Sequence, residues 1–161
     1  MTEYLSPSDL QVLLSSSGKD KVFIIDARSD YERKSFGYIK VSIHIPTYKL
    51  SSQLDWISNV SLHCSHIVVH CQYSQCRGPS TARRILNTIL SNPSIALQSK
   101  CKICILTGGA EAFSSYCHRA LSPEDRDKVW IEGETSEEDD LSMARKMAVC
   151  PFSGKIEEIG S

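Results

Sequence analysis

Four short apolar runs, separated by helical patterns, constrain the fold of this chain more than any other feature of its sequence. They span residues 22–25, 42–45, 67–70 and 102–106, and most of their side chains are Ile, Val, Leu or Phe. The first run, residues 22–25, has no polar face, and such strands are buried on both sides, as in parallel sheets that are covered by helices. The runs therefore predict an α/β domain with a central, mostly parallel sheet.

Helical patterns lie before and between these runs. Ser6 and Pro7 provide an N-cap and a first helical position. Apolar residues recur at helical spacing over residues 48–60 and 80–90. Strands that alternate with helices in this way place helices on both faces of the sheet, which gives three layers.

Size and charge exclude several classes of protein. The chain has 161 residues, 41% of them apolar, which suits one core of ordinary depth. Its formal net charge of -1 gives no overall field that would attract nucleic acid or an anionic membrane. No apolar run approaches the roughly 18 residues of a membrane span, and the first residues lack the pattern of a secretory signal. We therefore expect a soluble intracellular protein that binds neither nucleic acid nor membranes.

The cysteines point to a reducing compartment. There are seven, an odd number without the regular spacing of a disulfide scaffold. Reduced thiols in the cytoplasm or nucleus are the expectation.

The C-terminal part of the chain differs from the rest. Beyond Pro123 the alternation of strands and helices is lost, and residues 132–140 form an acidic, aromatic-free run that cannot supply a core. We predict a catalytic domain over residues 1–122 and an acidic extension over residues 123–161. The extension is expected to be partly helical, with a short helix over residues 141–149, or flexible.

A cysteine and an arginine frame the loop after the third apolar run. Five residues separate Cys71 from Arg77, and the next helix opens at once. Ligands of parallel sheets bind at the carboxyl ends of the strands, and a helix N-terminus offers N–H groups to an anion. Arg77 adds a planar, two-pronged donor. The spacing predicts a cradle for a tetrahedral oxyanion. The residues whose backbone would line it are Gln72, Tyr73, Ser74, Gln75 and Cys76.

The cradle also favours a charged nucleophile. Its N–H groups and Arg77 stabilise a thiolate at Cys71, so we expect this thiol to react at neutral pH. The alternative is a small buried thiol without chemistry. The combination of strand end, arginine and helix start favours catalysis.

Residues 70–79, His-Cys-x5-Arg-Gly-Pro, resemble the signature of the rhodanese-fold phosphatases. This group comprises the M-phase inducer phosphatases and their small relatives, which include eukaryotic arsenate reductases. Two further stretches resemble rhodanese motifs, namely residues 25–28 with 31–32 and 37–39, and residues 106–109, and the likeness covers about residues 5–120. The resemblance implies a three-layer rhodanese-like domain. It also implies phosphate or arsenate as the bound group, because the sulfurtransferases of this fold usually have a loop one residue shorter.

Several positions depart from the family pattern. Tyr38 and Val41 replace the usual histidine and glycine, and Gln72 stands where the M-phase inducer phosphatases have a glutamate. Gly78 follows Arg77, where many other cysteine phosphatases place a hydroxyl that assists release of the thiol-phosphate. Ser74 is either a substitute for that hydroxyl, if its side chain turns inward, or the source of a hydrogen bond that shapes the loop.

Other residues are expected to support the loop. His70 either stabilises the thiolate or fixes the loop through backbone hydrogen bonds. The resemblance implies that Asp26 and Arg28 form a pair beneath the loop. Cys101 and Cys104 have metal-like spacing, but packed thiols are the favoured reading, and no metal is expected.

The predicted function is a cysteine-dependent phosphatase of the protein-tyrosine or dual-specificity type. It would act on a phosphorylated protein or a small phosphomonoester, without a cofactor. Arsenate reduction, with glutathione or a glutaredoxin as electron donor, is the first alternative. A non-catalytic module that binds anions is the second.

Overall fold

The structure is a computed structural model that describes residues 2–134 of the chain. The strands are β1 (Thr2–Leu5), β2 (Val22–Asp26), β3 (Gly37–Ile39), β4 (Ile43–His44), β5 (His66–His70), β6 (Lys102–Leu106) and β7 (Trp130–Glu132). The helices are α1 (Pro7–Ser15), α2 (Asp30–Phe36), α3 (Leu50–Val60), α4 (Arg77–Ser91), α5 (Pro93–Gln98), α6 (Gly109–Ala120) and α7 (Pro123–Val129).

Five strands form the central sheet, and all of its pairs are parallel. Their order across the sheet is β1-β6-β5-β2-β4, so β5 lies at the centre. The register pairs Ile24 with Val68 and Val68 with Cys104. Because all five strands run the same way, the loops after β2, β4, β5 and β6 share one edge of the sheet.

Two apolar clusters cover the two faces of this sheet. Ile25 and Val69 belong to the cluster that includes residues of α3, α4 and α5. Ile24 and Val68 belong to the other, with residues of α1 and α6. Neighbouring residues of a strand point to opposite faces. This arrangement confirms the predicted α/β architecture with a central parallel sheet between two helical layers.

Three strands lie outside the predicted elements. β1 forms an edge of the sheet and leaves Tyr4 66% exposed, so its sequence lacks the apolar character of the central strands. β3 and β7 form a separate antiparallel pair, in which Ile39 faces Trp130. Strands of three residues are too short to show a period in the sequence.

Packing continues beyond residue 122, where the sequence predicts the start of the extension. Val129 and Trp130 are buried in the cluster on the α1 and α6 face. The folded unit therefore extends at least to Glu132, because one aromatic and one branched side chain suffice to anchor α7 and β7. Most of the acidic run and the predicted helix over residues 141–149 lie outside the described residues.

No helix within residues 2–134 combines the length and apolar character needed to cross a membrane.

Candidate active site

Cys71 lies at the floor of the loop between β5 and α4. β5 ends at His70, and α4 begins at Arg77, so the loop sits at the carboxyl edge of the central strand. The Cys71 side chain is 3% exposed, and its Sγ accepts a hydrogen bond from the backbone N–H of Gly78 at 3.2 Å. An N–H group in the first turn of α4 thus points at the sulfur, where it stabilises negative charge.

Arg77 is clamped by a buried carboxylate that the sequence reasoning did not single out. Its Nη1 and Nη2 donate to Oε1 and Oε2 of Glu32 at 2.5 and 2.8 Å. Glu32 is fully buried, and Arg77 is 4% exposed. Two parallel hydrogen bonds fix the plane of the guanidinium as well as its position.

Local sequence explains how Glu32 reaches this place. Ser29 caps α2, and the Glu32 carboxylate accepts hydrogen bonds from the Ser29 backbone and hydroxyl at 3.1 Å each. The Ser-x-x-Glu spacing of a capping box is visible in the sequence. This spacing and the likeness of residues 31–32 to a rhodanese motif both point to Glu32, although neither indicates a partner 45 residues away.

Charge around Arg77 keeps it protonated. Burial alone would lower the pKa of Arg77, but the hydrogen bonds and charge of Glu32 raise it, with smaller contributions from Cys71 and Asp26. A permanent positive charge therefore lies beside the loop that holds the thiol.

Arg28 connects the end of β2 to the loop after β5. Its Nε and Nη2 donate to the Asp26 carboxylate at 2.9 and 2.8 Å, and its Nη1 donates to Oε1 of Gln72 at 2.9 Å. Burial would raise the pKa of Asp26, but the charge and hydrogen bonds of Arg28 hold it well below its usual range. Gln72 is buried, and its amide oxygen faces Arg28. The structure thus brings together Asp26, Arg28 and Gln72. The supporting role of Asp26 and Arg28 remains a prediction.

The N-terminus of α6 holds the back of the loop. The N–H groups of Ala110 and Glu111 donate to the carbonyl oxygens of Cys71 and Gln72, at 3.0 Å each. Gly109 allows this approach, since a Cβ at this position would come within 2.5 Å of both oxygens. With these carbonyls turned toward α6, the peptide plane between Cys71 and Gln72 is fixed.

His70 lies behind the loop and is uncharged at neutral pH. Its Nδ1–H donates to the carbonyl oxygen of Cys71 at 3.0 Å. Burial lowers the pKa of His70 below its usual value of 6.5, and the nearby Asp26 offsets this only in part. The ring therefore bonds the backbone as a neutral imidazole.

These two shifts predict loss of stability in acid. Below pH 6.5 the unfolded chain takes up a proton at His70 that the folded chain refuses, so the free energy of unfolding falls as the pH drops. Asp26 adds a further loss below its usual pKa of 3.8. Each group contributes at most about 1.4 kcal/mol per pH unit. Urea unfolding at pH 7.5, 6.5, 5.5 and 4.5 measures the slope.

The matched variants are His70→Asn and His63→Asn. We expect His70→Asn to flatten the dependence of the unfolding free energy on pH between pH 6.5 and 4.5. His63→Asn, at an exposed position, is the control. His66, whose pKa burial and Lys102 also lower, accounts for part of the remaining slope. An unchanged slope in His70→Asn would contradict the assignment.

The other loop residues differ in exposure. Ser74 is buried and Gln75 is exposed, while Tyr73 and Cys76 are half-buried. Cys76 occupies the N-cap position of α4, but its side chain makes no capping hydrogen bond. Binding of substrate oxygens by the backbone of these residues remains a prediction.

Three thiols outside the loop are poor nucleophiles. Burial raises the pKa of Cys101 to about 12, that of Cys104 to about 11 and that of Cys117 to about 12. Within the described part of the chain, no three His, Cys, Asp or Glu side chains are grouped so that they could hold a metal ion.

Comparison with known proteins identifies one family. The model of the rhodanese-like domain matches residues 6–116. The dual specificity phosphatase ibp1 of Schizosaccharomyces pombe is 37% identical over 90 residues, which are 55% of this chain and 62% of that protein. Arsenical-resistance protein 2 of Saccharomyces cerevisiae is 26% identical over 125 residues, 74% of this chain and 94% of that protein. The chain thus spans less than two thirds of the phosphatase relative and nearly all of the second.

Solved structures show the same fold. The As-Sb reductase from Leishmania major has a TM-score of 0.62 and 25% identity, over 90% of this chain and 99% of that one. Ygr203w, a yeast protein tyrosine phosphatase of the rhodanese family, also has a TM-score of 0.62, with 22% identity over 83% of this chain and 94% of that one. Relatives of this chain therefore include both phosphatases and a reductase of arsenic and antimony.

Proposed function

The chain belongs to the family of rhodanese-like domains, and on that premise we propose that it is a cysteine-dependent phosphatase acting through a thiol-phosphate on Cys71. The observation that carries the proposal is the hydrogen bond from Gly78 N–H to the Cys71 sulfur, inside a loop of five residues closed by Arg77. That hydrogen bond stabilises the thiolate that attacks phosphorus. Loop N–H groups and Arg77 would hold the equatorial oxygens in the transition state.

The first step transfers the phosphoryl group to sulfur. The thiolate of Cys71 forms a bond to phosphorus as the bond to the leaving oxygen breaks, and the electron pair goes to that oxygen. Gln72 is a neutral amide whose oxygen is bound by Arg28, so it supplies no proton to the leaving group. The site therefore favours leaving groups that are stable as anions. We expect aryl phosphates and phosphotyrosine to react faster than phosphothreonine.

Arsenate reduction is the second candidate, and the same feature of Gln72 favours it. Attack of Cys71 on arsenate releases water or hydroxide rather than an alkoxide. Two electrons must then come from thiols, for which glutathione and a glutaredoxin are the proposed donors. The arsenical-resistance relative and the As-Sb reductase support this reading.

A side-by-side assay tests the proposal. The purified protein is given para-nitrophenyl phosphate, phosphotyrosine and phosphothreonine peptides, or arsenate with glutathione and a glutaredoxin. We expect release of phosphate, fastest from the aryl ester, that Cys71→Ser abolishes. Reduction of arsenate without phosphate release would replace the proposal by its alternative. If the protein shows neither activity, the remaining interpretation is a non-catalytic module that binds anions.

The cellular setting follows from the chemistry. A thiolate nucleophile needs a reducing compartment. We therefore propose that the protein acts in the cytoplasm or nucleus on a phosphorylated protein or a small phosphomonoester.

A further inference from the structure

Ser74 carries a buried hydroxyl without a hydrogen-bond partner among the described residues. The side chain is 7% exposed, and its Oγ is one of four buried side-chain atoms in this part of the chain that lack a partner. The loop-shaping hydrogen bond that the sequence also allowed is therefore not formed. Buried hydroxyls are usually satisfied, so this one calls for an explanation in the function of the loop.

The backbone holds this hydroxyl inside the loop. Ser74 has a φ of 53°, and it is the only residue other than glycine with a positive φ within residues 2–134. The left-handed conformation is costly for a residue with a side chain. At the centre of the loop, it turns the serine inward while the neighbouring Gln75 is exposed.

The hydroxyl faces the space beside Gly78 and Cys71. A methyl group at position 78 would lie 3.3 Å from Oγ of Ser74 and 3.3 Å from the backbone nitrogen of Cys71. The N–H of Gly78 itself donates to the Cys71 sulfur at 3.2 Å. The hydroxyl therefore borders a space that is open because Gly78 has no side chain, beside the residue whose N–H binds the Cys71 sulfur.

The second chemical step needs a donor at that sulfur. Water attacks phosphorus and forms a new P–O bond, the S–P bond breaks, and its electron pair returns to sulfur as a thiolate. Both water protons leave with the phosphate. Negative charge grows on a buried atom, where a positioned donor is most effective. The Gly78 N–H is one such donor, and a hydroxyl without another acceptor is available to be the second.

We propose that the Ser74 hydroxyl donates a hydrogen bond to the Cys71 sulfur as the S–P bond breaks, which makes Ser74 a catalytic residue of the second step. The proposal rests on the phosphatase function argued above. The described structure does not contain this hydrogen bond, so the proposal requires the Ser74 side chain to turn toward the sulfur as the S–P bond breaks. The first step does not need this donor, because there the sulfur loses its charge.

Three variants separate the hydroxyl from the backbone. Ser74→Gly removes the hydroxyl and relieves the left-handed strain, whereas Ser74→Ala removes it and keeps the Cβ. Ser80→Ala deletes a neighbouring hydroxyl in the first turn of α4 as a control. The double variant Ser74→Gly/Gly78→Ser introduces a hydroxyl at position 78, on the other side of the space between the two residues. The Ser74 side chain, which would otherwise crowd it, is then absent.

Stopped-flow kinetics with para-nitrophenyl phosphate gives the readout. In Ser74→Gly and Ser74→Ala we expect an unchanged burst of nitrophenolate, a kcat lower by about 10²-fold and accumulation of phosphorylated enzyme. Ser80→Ala should behave like the wild type, and the double variant should recover part of kcat.

The outcomes separate this inference from the proposed function. If the wild type turns over and the kcat of Ser74→Gly is unchanged, the catalytic role of Ser74 is wrong while the phosphatase function stands. If the burst and kcat slow together, Ser74 only shapes the loop. A wild type without turnover would overturn the proposed function itself.

Discussion

Replacing Cys71 with serine is expected to lower kcat by about 10⁶-fold, the loss found when the nucleophile of a hydrolase is removed. A hydroxyl has no comparable anionic form at neutral pH, so the attack on phosphorus is lost. The cradle itself should persist, because it consists of backbone N–H groups and Arg77. We therefore expect the variant to bind phosphate with an affinity close to that of the wild type.

Steady-state hydrolysis of para-nitrophenyl phosphate and calorimetric titration with phosphate measure these two effects. Cys64→Ser is the matched control, since Cys64 precedes β5 at the opposite end of the strand. It should retain full activity. Substantial turnover by purified Cys71→Ser would remove the thiol from the mechanism.

Exchange of Arg77 for lysine is expected to lower kcat/KM by about 10²- to 10³-fold, as loss of a transition-state donor does. The positive charge remains, but an ammonium cannot form the two parallel hydrogen bonds that orient Arg77 on Glu32. One face of the cradle then has no fixed planar donor. The buried Glu32 carboxylate also loses part of its pairing, which lowers stability.

The kinetic and structural effects can be measured separately. Thermal unfolding gives the loss of stability, and kcat/KM is compared at a temperature where both proteins are folded. Arg119→Lys, an exposed exchange on α6, is the control. A kcat/KM for Arg77→Lys equal to that of the control would show that the geometry of the guanidinium has no part in the reaction.

The central strands were predictable because their pattern is local. β2, β5 and β6 are buried on both faces, and the lack of a regular polar face in their sequences indicates this burial. β1, β3 and β7 were missed because each is short and forms only by pairing with a strand far away in the chain. The anchoring of α7 by Trp130 is a tertiary contact of the same kind.

The proposed nucleophile could be located from the sequence, but the residues that support its loop could not. Cys71 and Arg77 stand within one loop, so their spacing alone indicates a cradle. Glu32 and the N-terminus of α6 reach the loop from elements that precede and follow it, and no local pattern joins them. The inward turn of Ser74 depends on a single dihedral angle, which the sequence does not specify.

The covalent state of Cys71 during turnover tests the central claim most directly. The wild-type protein is mixed with para-nitrophenyl phosphate, quenched in acid within the first turnover, digested and examined by mass spectrometry. We predict that the peptide containing Cys71 gains one phosphoryl group, and that the same peptide from Cys71→Ser gains none. Hydrolysis by the wild type with the phosphoryl group on another residue, or on none, would contradict the account.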